Sequence, residues 1–487
     1  MRCIRLVALA AMSLVCSVAH TQGVKAPLPD PVIICPPNAT AIETFAAQEL
    51  ARAIEAMTGK RPDVVNALSG AKASKIVLLN AKAPAKGPAP DQAYSILYDE
   101  KEGKPEVLIT GKDRSLLYAV RDLSGKYLSG KERQLFVEKI SLTETPAAPR
   151  RYLWLWLQNL KGDWKPFIDF ASEWKCNGVV IWGLDAWKDD KLCREICVYA
   201  HERGVDVLHG FGVNGYHEGK HICETIPEAK AVIPEKFHNT ENGKWSLDAL
   251  YCPSNEKAQA AIKEMLLKAA DAGIDGFNFE TADVDYILCH CPKCEARFKH
   301  QSEELHANKP IEWPIEHTNM AVEFLSAERP NLWLCAEYAI QKFDPAPYVG
   351  SAKLERLAKE INKRCTVIWC ESMAPPQPIA EALIQMRPES GFYIRSGAIL
   401  GIEGSEKYKW EDELAAMRRL IPLEPKCVMY RSGIPGGYLA AKMAVAAEAM
   451  WNPKRADDYF QGVFDRVTGM TKPGGKYAVK EEKPKQP

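Results

Sequence analysis

The run Asp275-Gly-Phe-Asn-Phe-Glu280-Thr-Ala-Asp283-Val-Asp285, followed closely by Cys289-His-Cys291-Pro-Lys-Cys294, gathers residue types that do chemistry. A short apolar segment delivers Glu280 to an acid-rich loop. A carboxyl group at the C-terminal end of a barrel strand can protonate a leaving oxygen. Two more apolar segments end alike, in Trp333-Leu-Cys335-Ala-Glu337-Tyr338 and in Trp369-Cys-Glu371-Ser372. Glycosidic cleavage takes one carboxyl group to protonate the leaving oxygen and a second to attack or to activate water. Glu280, Glu337 and Glu371 on one rim would supply both. The plainer alternative is that such groups cap helices or pair with arginines.

Strand alternation puts Asn278 on the face of Glu280. Asp185, closing Gly183-Leu-Asp185, is a further acid, and Asp283 and Asp285 could position a sugar. Arg395 and Arg431, in Tyr393-Ile-Arg395 and Tyr430-Arg431, could clamp a uronate or sulfate bidentately, or pair with the glutamates. Their different offsets from the tyrosines leave open whether both face inward. Trp182, Trp369 and Tyr338 offer ring faces to a sugar, while Trp154 and Trp333 stand well before their strand ends and read as core. His209 and His217 are weaker candidates, since a lone histidine there is more often structural.

The spacing Cys289-x-Cys291-x-x-Cys294 suits Zn2+, which takes four sulfur or nitrogen ligands. Cys252, in Tyr251-Cys-Pro-Ser-Asn255, is the leading fourth ligand, with Cys223, His290 and His238 as alternatives. A structural zinc is the first reading and a disulfide with a free thiol the second. A catalytic zinc is the least favoured, because thiolate-rich sites usually lack an open position. Catalysis by carboxyl groups needs no cofactor.

The elements that must position these residues follow from Arg151 onward. Short apolar strands alternate with amphipathic helices, which argues for a parallel sheet with crossover helices. Eight strands are expected: Tyr152–Gln158, Gly178–Asp185, Val205–Phe211, Ile274–Glu280, Asn331–Tyr338, Thr366–Ser372, Gly391–Arg395 and Cys427–Arg431. That count over about 300 residues predicts a (β/α)8 TIM barrel spanning 150–455. An open doubly wound sheet would show a glycine-rich turn after its first strand, and Gln158-Asn159-Leu160-Lys161 is not one. Long loops follow strands three and four. Residues 31–145 read as a separate small α/β domain, 456–470 as a C-terminal helix and 471–487 as a disordered tail.

The chain of 487 residues carries 63 basic and 63 acidic side chains, so no global field favours nucleic acid or an anionic membrane. Arg2 and Arg5 before the apolar stretch Leu6–Val18 read as a signal peptide, 1–19, cleaved near Ala19. The expectation is a secreted or periplasmic protein with no membrane span after cleavage and a carbohydrate as its partner. Thirteen of the 15 cysteines would remain, an odd number scattered through apolar runs, so no disulfide framework is inferred.

The small α/β domain before a barrel (Phe45–Ala56, Ile76–Leu79, Val107–Arg121), with Leu250-Tyr-Cys-Pro-Ser-Asn255 and Glu280 ahead of the thiol cluster, resembles bacterial β-N-acetylhexosaminidases and α-glucuronidases over residues 31–455. The resemblance implies that Glu280, ending strand four, is the proton donor. Those hexosaminidases carry an adjacent Asp-Glu pair there, whereas Phe279 precedes Glu280 in this chain. A glucuronidase-like scheme, with Glu371 or Glu337 as base or nucleophile, fits better than substrate assistance. Amino-sugar or uronic-acid glycans are the implied substrates. The alternatives are a glycan-binding barrel without turnover and, further off, a metal-dependent deacetylase.

Overall fold

The computed structural model describes residues 24–66, 74–101, 103–160, 162–213, 215–239, 247–280, 289–298, 312–339, 352–371, 375–395, 409–431 and 437–470. They form two compact units, the first running to Pro146 and including Glu202–Gly204, the second comprising the rest from Ala147 onward. The expected signal peptide and C-terminal tail lie outside the described residues.

In the first unit, β1 (Lys25–Pro27), β2 (Val32–Ile34), α1 (Ala41–Thr58), β3 (Val64–Val65), β4 (Lys75–Asn80), β5 (Tyr94–Lys101), β6 (Lys104–Gly111), α2 (Arg114–Asp122), β7 (Leu128–Lys131), β8 (Gln134–Glu138) and β9 (Ser141–Glu144) follow in order. Six strands form a mixed sheet, β3-β2-β4-β6-β5-β9, and three form a second sheet, β1-β8-β7. Helix α1 starts where the Thr40 side chain accepts from the Glu43 N–H and Glu43 reciprocates, and it ends at Gly59 with φ 77°. Its face of Ala46, Ala47, Leu50 and Ile54 is buried.

The second unit is a closed barrel of eight parallel strands in chain order. They are β10 (Arg151–Trp156), β11 (Gly178–Trp182), β12 (Asp206–Gly212), β13 (Gly276–Glu280), β14 (Trp333–Ala339), β15 (Cys365–Glu371), β16 (Ser390–Arg395) and β17 (Val428–Arg431). Each coincides with an expected strand to within a few residues. Between and after them run α3 (Lys165–Glu173), α4 (Asp190–Glu202), α5 (Tyr216–Thr225), α6 (Glu256–Asp271), α7 (Pro292–Arg297), α8 (Glu312–Glu328), α9 (Ala352–Glu360), α10 (Gln377–Met386), α11 (Trp410–Leu420), α12 (Gly437–Trp451) and α13 (Asp457–Met470).

Two apolar layers result from strand alternation. The lumen holds Tyr152, Trp154, Val180, Trp182, Leu208, Cys335, Ile368, Cys370, Tyr393 and Met429. The opposite faces of the same strands pack under the helices, where Phe211, Phe277, Phe279, Tyr338, Trp369 and Tyr430 sit. The last helix, α13, joins this outer core through Phe460, Val463 and Val467. Below the lumen, the Lys175 ammonium meets Glu448 at 3.0 Å, both nearly wholly buried. Glu448 also takes Arg455 at 2.6 Å and the Tyr459 hydroxyl at 2.7 Å, which compensates the desolvated charges.

Candidate active site and thiol cluster

Register builds the site. Glu280 on β13 lies opposite Glu337 on β14, and Asn278 opposite Cys335. Neighbouring strands run about 4.8 Å apart, so both carboxyl groups enter one patch of the barrel mouth. Exposures of 4% for Glu280 and 2% for Glu337 leave both out of bulk solvent. The Asn278 amide donates to Glu337 Oε2 at 2.9 Å, and the Cys335 thiol donates to Asn278 Oδ1 at 3.3 Å. This chain of donors presents Glu337 as a hydrogen-bond acceptor, the form a base or nucleophile needs. On the other side, β12 places Gly210 beside Asn278 and Gly212 beside Glu280.

Trp182 lies across Gly210, where a methyl group would come within 2.4 Å of its indole. It packs against Trp156 at 5.2 Å and Trp154 at 6.0 Å between ring centroids, an aromatic wall along one side of the mouth. The Arg431 guanidinium stands 4.4 Å over the Trp154 ring. Arg431 lies opposite Arg395 in register. Their unequal offsets from the tyrosines arise because Tyr393 faces the lumen and Tyr430 the helices.

Past β11 the chain turns through left-handed residues, Gly183 at φ 75° and Asp185 at φ 44°. Burial pushes the Asp185 carboxyl up, but hydrogen bonds from His217 and Lys188 outweigh it and hold the group below the usual range. His217 also leans toward Trp156, with centroids 6.1 Å apart. Next to it, Glu218 is wholly buried, and burial raises its carboxyl well above the usual range while the Gly212 N–H opposes the shift. Sequence reasoning missed Glu218. A single glutamate at the start of a helix after a long loop carries no periodic signal, and only the fold brings it beside β12.

Two expected sugar contacts do not reach the mouth. Tyr338 faces the helix layer, and its hydroxyl meets Thr318 at 3.0 Å. Trp369 is buried in the same outer core, one residue out of phase with the lumen residues Ile368 and Cys370. His209 is outside the lumen too, packed on Trp187, Phe211 and Phe277, and burial pushes its imidazole down to about 4. Asp283 and Asp285 lie outside the described residues. Glu371 ends β15 and Arg395 ends β16, with only their backbones described.

The thiol cluster is separate from the lumen. The sulfurs of Cys252, Cys289, Cys291 and Cys294 all lie within 4.8 Å of one another. Cys252 Sγ is 3.6 Å from both Cys291 Sγ and Cys294 Sγ, and none of the four is disulfide-bonded. The other candidate ligands are engaged elsewhere. Cys223 donates to the Leu250 carbonyl at 3.4 Å, His238 Nε2 meets the Ile233 carbonyl at 2.9 Å, and His290 pairs with Glu295. Around the thiols, Ile233, Leu250, Phe298 and Trp313 form a small apolar cluster of their own.

No known family profile matches the sequence, and no curated protein does. Solved structures do match the fold. The chitobiase of Flavobacterium johnsoniae superposes with a TM-score of 0.63 at 14% identity, over 93% of this chain and 70% of that one. The β-N-acetylhexosaminidase of Bacteroides fragilis gives 0.62 at 12%, over 93% and 94%. The exo-β-N-acetylglucosaminidase of Vibrio harveyi, solved with N-acetylglucosamine, gives 0.62 at 11%, over 93% and 76%. At these identities the likeness is one of fold, and this chain folds as β-N-acetylhexosaminidases of glycoside hydrolase family 20 do.

Proposed function

We propose that this chain is an exported glycoside hydrolase acting on glycans that contain amino sugars or uronic acids. Glu280 is the proton donor and Glu337 the second carboxylate. The observation that carries this is the in-register pair at the ends of β13 and β14, with Asn278 fixing Glu337 as an acceptor. Glu337 is preferred over Glu371 for the second role because it stands opposite Glu280 in register and is held by Asn278. Phe279 packs outward on Phe211 and Phe277. A carboxylate next to Glu280 in sequence is therefore missing from the mouth, which supports the protein's own second acid over substrate assistance. Trp156, the partly exposed ring of the wall, would stack on a sugar ring, and Arg431 would meet an acidic substituent. The fold neighbour bound to N-acetylglucosamine supports the amino-sugar class.

The test is hydrolysis of aryl N-acetylhexosaminides and uronides by wild type, Glu280→Gln and Glu337→Gln. Loss of a positioned acid or base lowers kcat by about 10²–10⁴-fold. Glu280→Gln should retain more activity on substrates with acidic phenol leaving groups, which need little protonation, while Glu337→Gln loses all substrates alike. Sugar binding without turnover in wild type on a broad panel would instead make this a glycan-binding barrel.

A further inference from the structure

We infer that Cys252, Cys289, Cys291 and Cys294 form a tetrathiolate zinc site that fastens together two rim loops of the barrel. The inference stands independently of the glycosidase reading. In tetrahedral Zn2+ with Zn–S bonds of 2.3 Å, neighbouring sulfurs lie about 3.8 Å apart. Cys252 stands 3.6 Å from two of its partners, and all four sulfurs lie within 4.8 Å of one another. Shifts of no more than about 1 Å bring every pair to tetrahedral spacing, whereas the same atoms are too far apart for S–S bonds.

The surroundings suit thiolates. The Val232 N–H donates to Cys289 Sγ at 3.3 Å and the Cys294 N–H to Cys291 Sγ at 3.5 Å. Ser254 Oγ lies 3.2 Å from Cys294 Sγ, and its hydroxyl can turn to donate once that sulfur carries charge. Such donors orient metal-bound thiolates. Binding is not redox chemistry. Each thiol gives its proton to solvent and forms one S–Zn bond, leaving a site of net charge −2. Lys230, Lys257 and Lys293 line the adjoining cleft together with Glu228 and Glu256, so the surroundings offset only part of that charge.

The ion occupies no catalytic role, because four protein thiolates leave no position for water or substrate. Its work is mechanical. Cys252 ends the long segment after β12, and the other three thiols belong to the segment after β13. The two segments touch through the His290 N–H bonded to the Val232 carbonyl at 2.8 Å and through a handful of apolar side chains. An apolar cluster of that size holds little stability alone, which is where small folded units rely on a metal or disulfide staple. Eight residues separate Glu280 from Cys289, so the staple anchors the chain just downstream of the proposed proton donor.

The test is metal analysis of the purified full chain, expressed with zinc supplied, by inductively coupled plasma mass spectrometry. Wild type should carry one zinc per chain, and Cys252→Ser with Cys294→Ser should carry less than a tenth of that. Cys197→Ala, a buried thiol on α4, should keep the full equivalent. Cobalt-loaded wild type should show the intense thiolate-to-cobalt absorption of a four-sulfur site. The wild-type readings need no variant to fold. A metal-free wild-type chain, iron in place of zinc, or an intact mass short by the hydrogens lost to disulfides would overturn the assignment.

Discussion

Gly210→Ala tests the packing that shapes the mouth. An alanine methyl there would lie 2.4 Å from Cδ1, Cδ2 and Cε2 of Trp182. Carbon atoms settle at 3.5–4.0 Å, so the indole must withdraw by about 1 Å or more. Trp156 and Trp154, at 5.2 and 6.0 Å between centroids, leave it little room. Overpacking of this kind costs about 1–3 kcal/mol. Alanine returns roughly 0.5–1 kcal/mol of the strand stability that glycine forfeits. The net loss should be about 1–2 kcal/mol. Trp182→Ala alone should cost about 3–5 kcal/mol. In that background the methyl enters the vacated space, and Gly210→Ala becomes neutral or stabilising by up to about 1 kcal/mol. The assay is a double-mutant cycle from guanidinium unfolding, with KM followed alongside because the displaced ring belongs to the proposed sugar wall. Equal penalties for Gly210→Ala in both backgrounds would refute the claim that glycine is there to admit Trp182.

Glu448→Gln leaves Lys175 and Arg455 without their carboxylate in the barrel floor and should destabilise by about 3–5 kcal/mol, read by guanidinium unfolding. A change under about 1 kcal/mol would mean that the network is hydrated, contrary to its burial. Burial pushes both His209 and His317 down to about 4. Unfolded, each takes up a proton below about 6.5, so the stability they contribute is complete above that pH and drains away as pH falls toward 4. Between pH 7 and pH 5 the loss is of order 2 kcal/mol per histidine, and unfolding curves at those two pH values should show it shrink in His209→Gln.

The barrel was legible because strands covered on both faces read as unbroken apolar runs bounded by turns. That same property hid the phase of each strand. Trp333-Leu-Cys-Ala-Glu-Tyr338 and Val367-Ile-Trp-Cys370 contain no polar alternation to say which side chains face inward. Tyr338 and Trp369 therefore looked like sugar contacts until register placed them under the helices. Glu280 and Glu337 were readable because a carboxyl group at a strand end stands out against its apolar run. Cys252, expected from the Cys-Pro-Ser-Asn turn to join the other three thiols, does lie beside them. The strands β1, β2, β3, β7, β8 and β9 went unread, each being only two to five residues long, with Gly130 inside β7.

The barrel seam has a consequence for how the chain is made. Its closing contact joins β17, the last strand, to β10, the first. Around that seam the Ala147 N–H bonds the Trp451 carbonyl at 2.8 Å, and the Arg151 guanidinium lies 5.0 Å from the Trp451 ring centroid. Until β17 (Val428–Arg431) has been synthesised, the sheet is an open ribbon with two unpaired edges, each a template for pairing with another chain. Folding of this unit is thus governed by its longest-range contacts, which form slowly. A fragment that stops short of β17 is left with exposed edges and an incomplete lumen, so C-terminal trimming that reaches β17 should bring on aggregation abruptly rather than by degrees.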